Sequence, residues 1–175
     1  MKEIKHGYYY INQKDPKWQK YKYAGKNPKE NACGPFVLAM ALSNIFKKEV
    51  SPINLMKFAE ENYYEEEGTS WSFFEEYLKK YKIKVKEILP SEKEFLDAME
   101  KNKLVIFSQN NKLNNYWTTS GHYILVVKQR YIDNGKEEKI KKYIVLDPAS
   151  RRKTNKMYFF EEIFIPCKRM WILDI

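Results

Sequence analysis

Cysteine and histidine each occur only twice in the 175 residues, as Cys33, Cys167, His6 and His122. Two cysteines cannot build the disulfide framework of a small secreted scaffold, and so few soft ligands exclude a dense His/Cys metal centre. No residue pattern calls for a cofactor, and none is expected. Long hydrophobic runs are also missing. No stretch approaches the ~18 apolar residues of a membrane span, and the opening Met-Lys-Glu-Ile-Lys-His-Gly lacks the apolar centre of a signal peptide. The chain is therefore expected not to span a membrane and, by default, to be cytoplasmic. Repeats, low-complexity blocks and linkers are absent too, so residues 1–175 read as one domain.

Aromatic surface is plentiful: 10 Phe, 14 Tyr and 4 Trp, 16% of the chain, within a hydrophobic content of 43%. That is far too much apolar area for a disordered polypeptide. The net charge is +9, and it is uneven, with +5 in residues 1–30 and +6 in residues 128–169. Most of the excess is scattered Lys without a compact Arg run, which reads as solvated surface rather than a nucleic-acid site. No nucleic-acid partner is expected, while anionic cell-wall material stays open as a partner.

Residues 8–13 are rich in strand formers and stop at Lys14-Asp15-Pro16. Residues 36–46 are apolar on nearly every face, as a helix buried inside the domain would be. Ser51-Pro52 opens a second helix to about Asn62, and the spacings Ser72 to Glu75 and Ser91 to Glu94 suit capping boxes of two more. Beyond residue 100 the apolar runs shorten to 104–107, 123–127, 143–146, 157–160 and 170–173, separated by turn residues, and these read as strands. Helices first and strands later give an α+β class, with an N-terminal helical half packed on a mainly antiparallel sheet.

Cys33 stands in Asn31-Ala32-Cys33-Gly34-Pro35, immediately before the buried helix. There the helix dipole and unpaired N–H groups favour a thiolate; a small buried hydrophobe is the competing reading. Gly34 would let a substrate approach the backbone, and Pro35 suits a first helical turn. His122 follows Ser120-Gly121 at the mouth of a strand. Asp133-Asn134-Gly135 is a strong turn signal, and a hairpin folded about Asn134-Gly135 places His122 opposite Asp147, close enough for carboxylate and imidazole to bond, unless the charged run Lys136-Glu137-Glu138-Lys139 lengthens the loop and shifts that register. A thiol, an imidazole and an orienting carboxylate are what a cysteine hydrolase requires. Trp117, Asn114 and Asn115 fall in a polar loop before His122; Trp117 is a candidate for lining a substrate cleft, whereas the asparagines read as solvated. The acidic run 65–67 reads as a solvated turn, and Cys167 as structural.

Taken in order, Gln13 after an aromatic strand, Asp15, Trp18, Ala32-Cys33-Gly34-Pro35, Gly68-Thr69-Ser70-Trp71, Gly121-His122-Tyr123 and Val145-Leu146-Asp147-Pro148 resemble the stand-alone relatives of the bacteriocin-processing, double-glycine peptidases, which are papain-like. The resemblance implies a papain-like cysteine peptidase with Cys33 as nucleophile, His122 as base, Asp147 as its orienter and Gln13 as oxyanion donor. Gly34, Gly121 and Trp117 are the candidate substrate-binding residues, and the partner is a peptide or protein substrate. Ala32 and Phe36 depart from the Gly and small residue common at those places. Cleavage after a double glycine is not carried over, because the chain shows no transporter or export signal. Two alternatives stay open: an acyltransferase using the same three side chains, and a non-catalytic module that binds peptide or cell wall.

Overall fold

The computed structural model describes residues 2–65 and 68–175, so Glu66 and Glu67 of the acidic run lie outside the described residues. The chain opens with a hairpin of β1 (Glu3–Lys5) and β2 (Tyr8–Tyr10), turned through His6 and Gly7, both at positive φ. A short α1 (Pro28–Asn31) then leads into α2 (Cys33–Phe46). The side chain of Asn44 in α2 serves β2 as a strand partner would. Its Oδ1 accepts from Tyr9 N at 2.8 Å and its Nδ2 donates to Tyr9 O at 3.1 Å. Residues 34–44 of α2 are all buried, as the apolar run demanded.

Helix α3 (Pro52–Asn62) starts where Ser51 accepts from Ile53 N, with Pro52 in the first turn. It is followed by the small pair β3 (Tyr64–Glu65) and β4 (Gly68–Thr69) and by α4 (Ser72–Leu78). The expected cap at Ser72 does not form: Ser72 is already helical, and its hydroxyl meets that of Ser70 at 3.2 Å. Next come β5 (Lys84–Ile88) and α5 (Glu92–Glu100), where Ser91 does cap, accepting from Glu94 N at 3.3 Å.

The rest of the chain supplies β6 (Leu104–Gln109), β7 (His122–Asp133), β8 (Lys139–Leu146), α6 (Arg151–Thr154), β9 (Met157–Tyr158), α7 (Phe160–Phe164) and β10 (Cys167–Asp174). Six strands form one sheet in the order β5-β10-β6-β7-β8-β9, every neighbouring pair antiparallel. The run 157–160 was expected to be all strand. It breaks after Tyr158 because Glu162 Oε2 accepts from Phe159 N at 2.7 Å, capping a helix that begins at Phe160.

One face of the sheet, with Ile106, Leu125, Leu146 and Trp171, packs on α2, α3 and α4. The other, with Phe107, Val126, Val145 and Ile172, packs on α5 and α7. Covering both faces explains why the central strands read as unbroken apolar runs rather than alternating ones, a pattern more familiar in parallel sheets.

Candidate active site

Cys33 is the first residue of α2 and stays half-buried while the ten or so residues after it are sealed in the core. A residue at this point has no intrahelical partner for its own N–H, so sulfur and free donor share one location. Gly34 is tightly enclosed. A Cβ on it would lie 2.6 Å from Thr69 Cβ, so the close approach that this glycine permits is to the protein's own β4, in place of the expected open face toward substrate. Thr69 is held there by Tyr23, whose hydroxyl lies 2.6 Å from its Oγ1, and by Tyr123, whose hydroxyl donates to its carbonyl at 2.7 Å.

His122 begins β7 and Asp147 directly follows β8, and the hairpin between them is not the one a tight Asn134-Gly135 turn would give. Residues 134–138 all belong to the loop, since Asp133 already faces Lys139. Were that outer register continued unbroken, His122 and Asp147 would project to opposite sides of the sheet. A bulge at Val127, between the pairs Val126–Val145 and Lys128–Ile144, shifts the register by one. The two side chains then fall on the same side but two residues out of direct opposition, and they meet diagonally at the strand ends.

His122 Nε2 donates to Asp147 Oδ1 at 2.7 Å, and both side chains are buried. The same carboxylate oxygen accepts from Ala149 N at 2.8 Å. Around it, Asp147 N donates to Thr154 Oγ1 at 2.9 Å and the Tyr10 hydroxyl donates to Asp147 O at 2.6 Å. Cys33 lines the same two cavities as His122, and its sulfur acts on the His122 ring. Burial works against a charged imidazole, yet the Asp147 carboxylate, by charge and hydrogen bond, and then the Cys33 sulfur outweigh it and push the His122 pKa up to about 10. The second cysteine is different: Cys167 is buried away from this cluster, its thiol pushed up to about 12 by burial and its Sγ 3.3 Å from Arg169 O.

Gln13 is tied to the same corner. Its backbone N donates to Pro148 O at 2.7 Å, beside Asp147. Its side-chain Nε2 donates to Pro28 O at 3.0 Å and to Lys29 O at a longer 3.4 Å. Two cavities, of about 510 and 540 Å³, share Cys33, Ser120, Gly121 and His122 on their walls. The first continues along Thr69, Ser70 and Trp71, the second along Gln13, Trp117 and Asp147.

Gly121 therefore sits at the junction of both, and a Cβ there would meet only Lys168 Nζ, 4.0 Å away. Trp117 borders the second cavity but is mostly core: it is 4% exposed, its Nε1 donates to Glu162 O at 2.9 Å, and its ring packs against Tyr116 and Tyr158. Asn114 and Asn115 are exposed, at positive φ, and outside both cavities. Sequence reasoning missed Thr69 as the residue enclosing Gly34, and Lys14, Lys29, Arg152 and Lys153 as walls of the second cavity. The two basic stretches meet there, with Lys14, Lys29 and Arg152 exposed, as solvated surface would be, and Lys153 half-buried.

Among sequence profiles, the one described as the peptidase C39 family matches residues 20–167, a span that holds Cys33, His122 and Asp147 and begins after Gln13. Among solved structures, the chain resembles the crystal structure of the peptidase domain of Streptococcus ComA, a bi-functional ABC transporter involved in a quorum-sensing pathway. Identity is 18% and the TM-score 0.55, over 81% of this chain and 89% of that one. That likeness carries the fold, a papain-like α+β arrangement as expected. No curated protein matches the sequence.

Proposed function

The chain belongs to the peptidase C39 family and is a papain-like cysteine peptidase, and from this premise we propose that Cys33, His122 and Asp147 are its catalytic triad. The observation that carries the reading is the buried imidazole of His122, bonded to Asp147 at 2.7 Å and lining the same two cavities as Cys33. With Nε2 engaged by Asp147, Nδ1 takes the thiol proton, and the sulfur attacks the carbonyl carbon of a peptide bond. The carbonyl π pair moves to oxygen and the tetrahedral adduct forms. As it collapses the C–N bond breaks and the imidazolium gives its proton to the departing amine; water, deprotonated by the same imidazole, then releases the acid and restores the thiol.

The raised proton affinity of His122 is matched to this cycle. The sulfur contributes to it, and acylation of that sulfur removes the contribution. The imidazolium thus becomes more acidic at the moment the leaving amine needs a proton. Two donors serve the oxyanion: the Cys33 N–H at the start of α2, and one amide hydrogen of Gln13, the one engaged only at 3.4 Å by Lys29 O. Gly121, open at the junction of the two cavities, gives room for the substrate backbone; Trp117 is a back wall, and Gly34 acts indirectly by letting Thr69 pack beside the sulfur.

A degenerate peptide mixture incubated with the enzyme and analysed by mass spectrometry tests the proposal. New termini should appear with the wild type and none with Cys33→Ala. Identical product patterns from the two proteins would overturn it.

A further inference from the structure

The two cavities that meet at Cys33 differ in charge. The first carries one residue of each sign, Glu65 and Lys168. The second is walled by Lys14, Lys29, Arg152 and Lys153 against a single free-standing acid, Glu30, because the charge of Asp147 is taken by His122. None of the four cations forms an ion pair among the described residues, and Glu30 is occupied by Asn27 N at 2.9 Å. Nearby Asp15 is engaged by Arg151 and by Lys17 N.

The cations are also close enough to act on one another. Burial makes Lys153 hold its proton less firmly; Asp147 counters this, and Arg152 and Lys14 add to it. Lys153 is fixed in place, donating to Tyr116 O with its ammonium 4.9 Å from the centre of the Tyr116 ring. Crowding like charges around a cleft costs stability unless a ligand of opposite sign enters, and it attracts such a ligand from solution.

We propose that this second cavity is an anion-recognition subsite, and that the peptide cut by the enzyme carries acidic side chains on that side of the scissile bond. The inference rests on the catalytic triad proposed above. A volume of about 540 Å³, with cations contributed by the segment after β2, by α1 and by α6, suits several residues of an acidic segment rather than one isolated carboxylate.

Iodoacetate and iodoacetamide make nearly the same S–C bond with loss of iodide, and differ in the charge of the arriving group. The ratio of their rates at Cys33, located by peptide mapping, reads the field of the cavity while cancelling differences in thiol reactivity. The double variant Lys14→Glu, Arg152→Glu should lower that ratio by about tenfold at low salt, and about 0.5 M NaCl should remove most of the difference. Lys139→Glu, at the far end of β8, should leave the ratio as in the wild type. A ratio unchanged in the double variant, with Cys33 still reacting, overturns the subsite alone. Cys33 inert to both reagents overturns the proposed triad and the subsite with it.

The peptide mixture supplies a second arm: wild-type cut sites should be enriched in Asp and Glu on one side of the break, and the double variant should lose that enrichment. Cuts without acidic enrichment, or confined to the residues next to a peptide's C-terminal carboxylate, would refute the acidic segment.

Discussion

Asp147→Asn keeps the shape of the side chain that holds His122 and removes its charge. In the wild type, burial disfavours the imidazolium, and Asp147 is the larger of the two groups that reverse this and bring the pKa up to about 10. The ordinary value is near 6.5, and each factor of ten in proton affinity corresponds to about 1.36 kcal/mol. A hydrogen bond to a charged partner contributes about 1.5–3 kcal/mol, and the Coulomb attraction of a buried pair adds to it. Losing the charge while the burial remains should therefore weaken proton binding by at least about a hundredfold, placing the midpoint below about pH 8.

With only two histidines in the chain, an NMR titration of the imidazole C–H signals reads this directly, and His6→Gln assigns them. Stability should follow with a definite sign. A folded-state pKa above the unfolded value stabilises fully below about pH 6.5, and that contribution is lost as pH rises toward the folded value of about 10. The urea midpoint of the wild type should fall across that window, and that of Asp147→Asn should be flatter. A wild-type His122 titrating near 6.5, or one still protonated to about 10 in Asp147→Asn, would refute the reasoning.

Gln13→Ala should lower turnover by ~10² to 10³ with little change in Cys33 labelling, since an oxyanion donor acts only in the transition state; a purely structural Gln13 would instead show as a lower melting temperature with turnover spared. Gly34→Ala should cost about 1–3 kcal/mol in urea unfolding, because its methyl would arrive 2.6 Å from Thr69 Cβ while two tyrosine hydroxyls pin that residue. Tyr10→Phe removes the bond to Asp147 O and should cost roughly 1 kcal/mol, with a small loss of turnover as the Asp147 turn loosens.

Local signals carried much of this fold. Ser51-Pro52 fixed the start of α3 because hydroxyl cap and proline act within one turn, and the unbroken apolar run after Cys33 could only be a buried helix. Signals failed where the deciding contact was distant or the element marginal. Lys84 to Ile88 alternates weakly and becomes a strand only by pairing with β10, and Phe159-Phe160 reads as strand until the Glu162 carboxylate caps the turn. The pairing of His122 with Asp147 was legible, but for an incomplete reason: the loop is longer than Asn134-Gly135, and a bulge at Val127, which no local residue type announces, brings the two side chains to one side. The cationic cavity was hidden because Lys14 and Lys153 are brought together only when Gln13 N bonds to Pro148 O.

The central claim is that Cys33 is a nucleophile activated by His122. Rates of iodoacetamide labelling at neutral pH, measured separately for the two cysteines in the wild type and in His122→Gln, test it most directly. Cys33 should react far faster than the buried Cys167 in the wild type, and His122→Gln should slow Cys33 by more than about tenfold. Equal rates at the two cysteines, or a Cys33 rate untouched by His122→Gln, would contradict it.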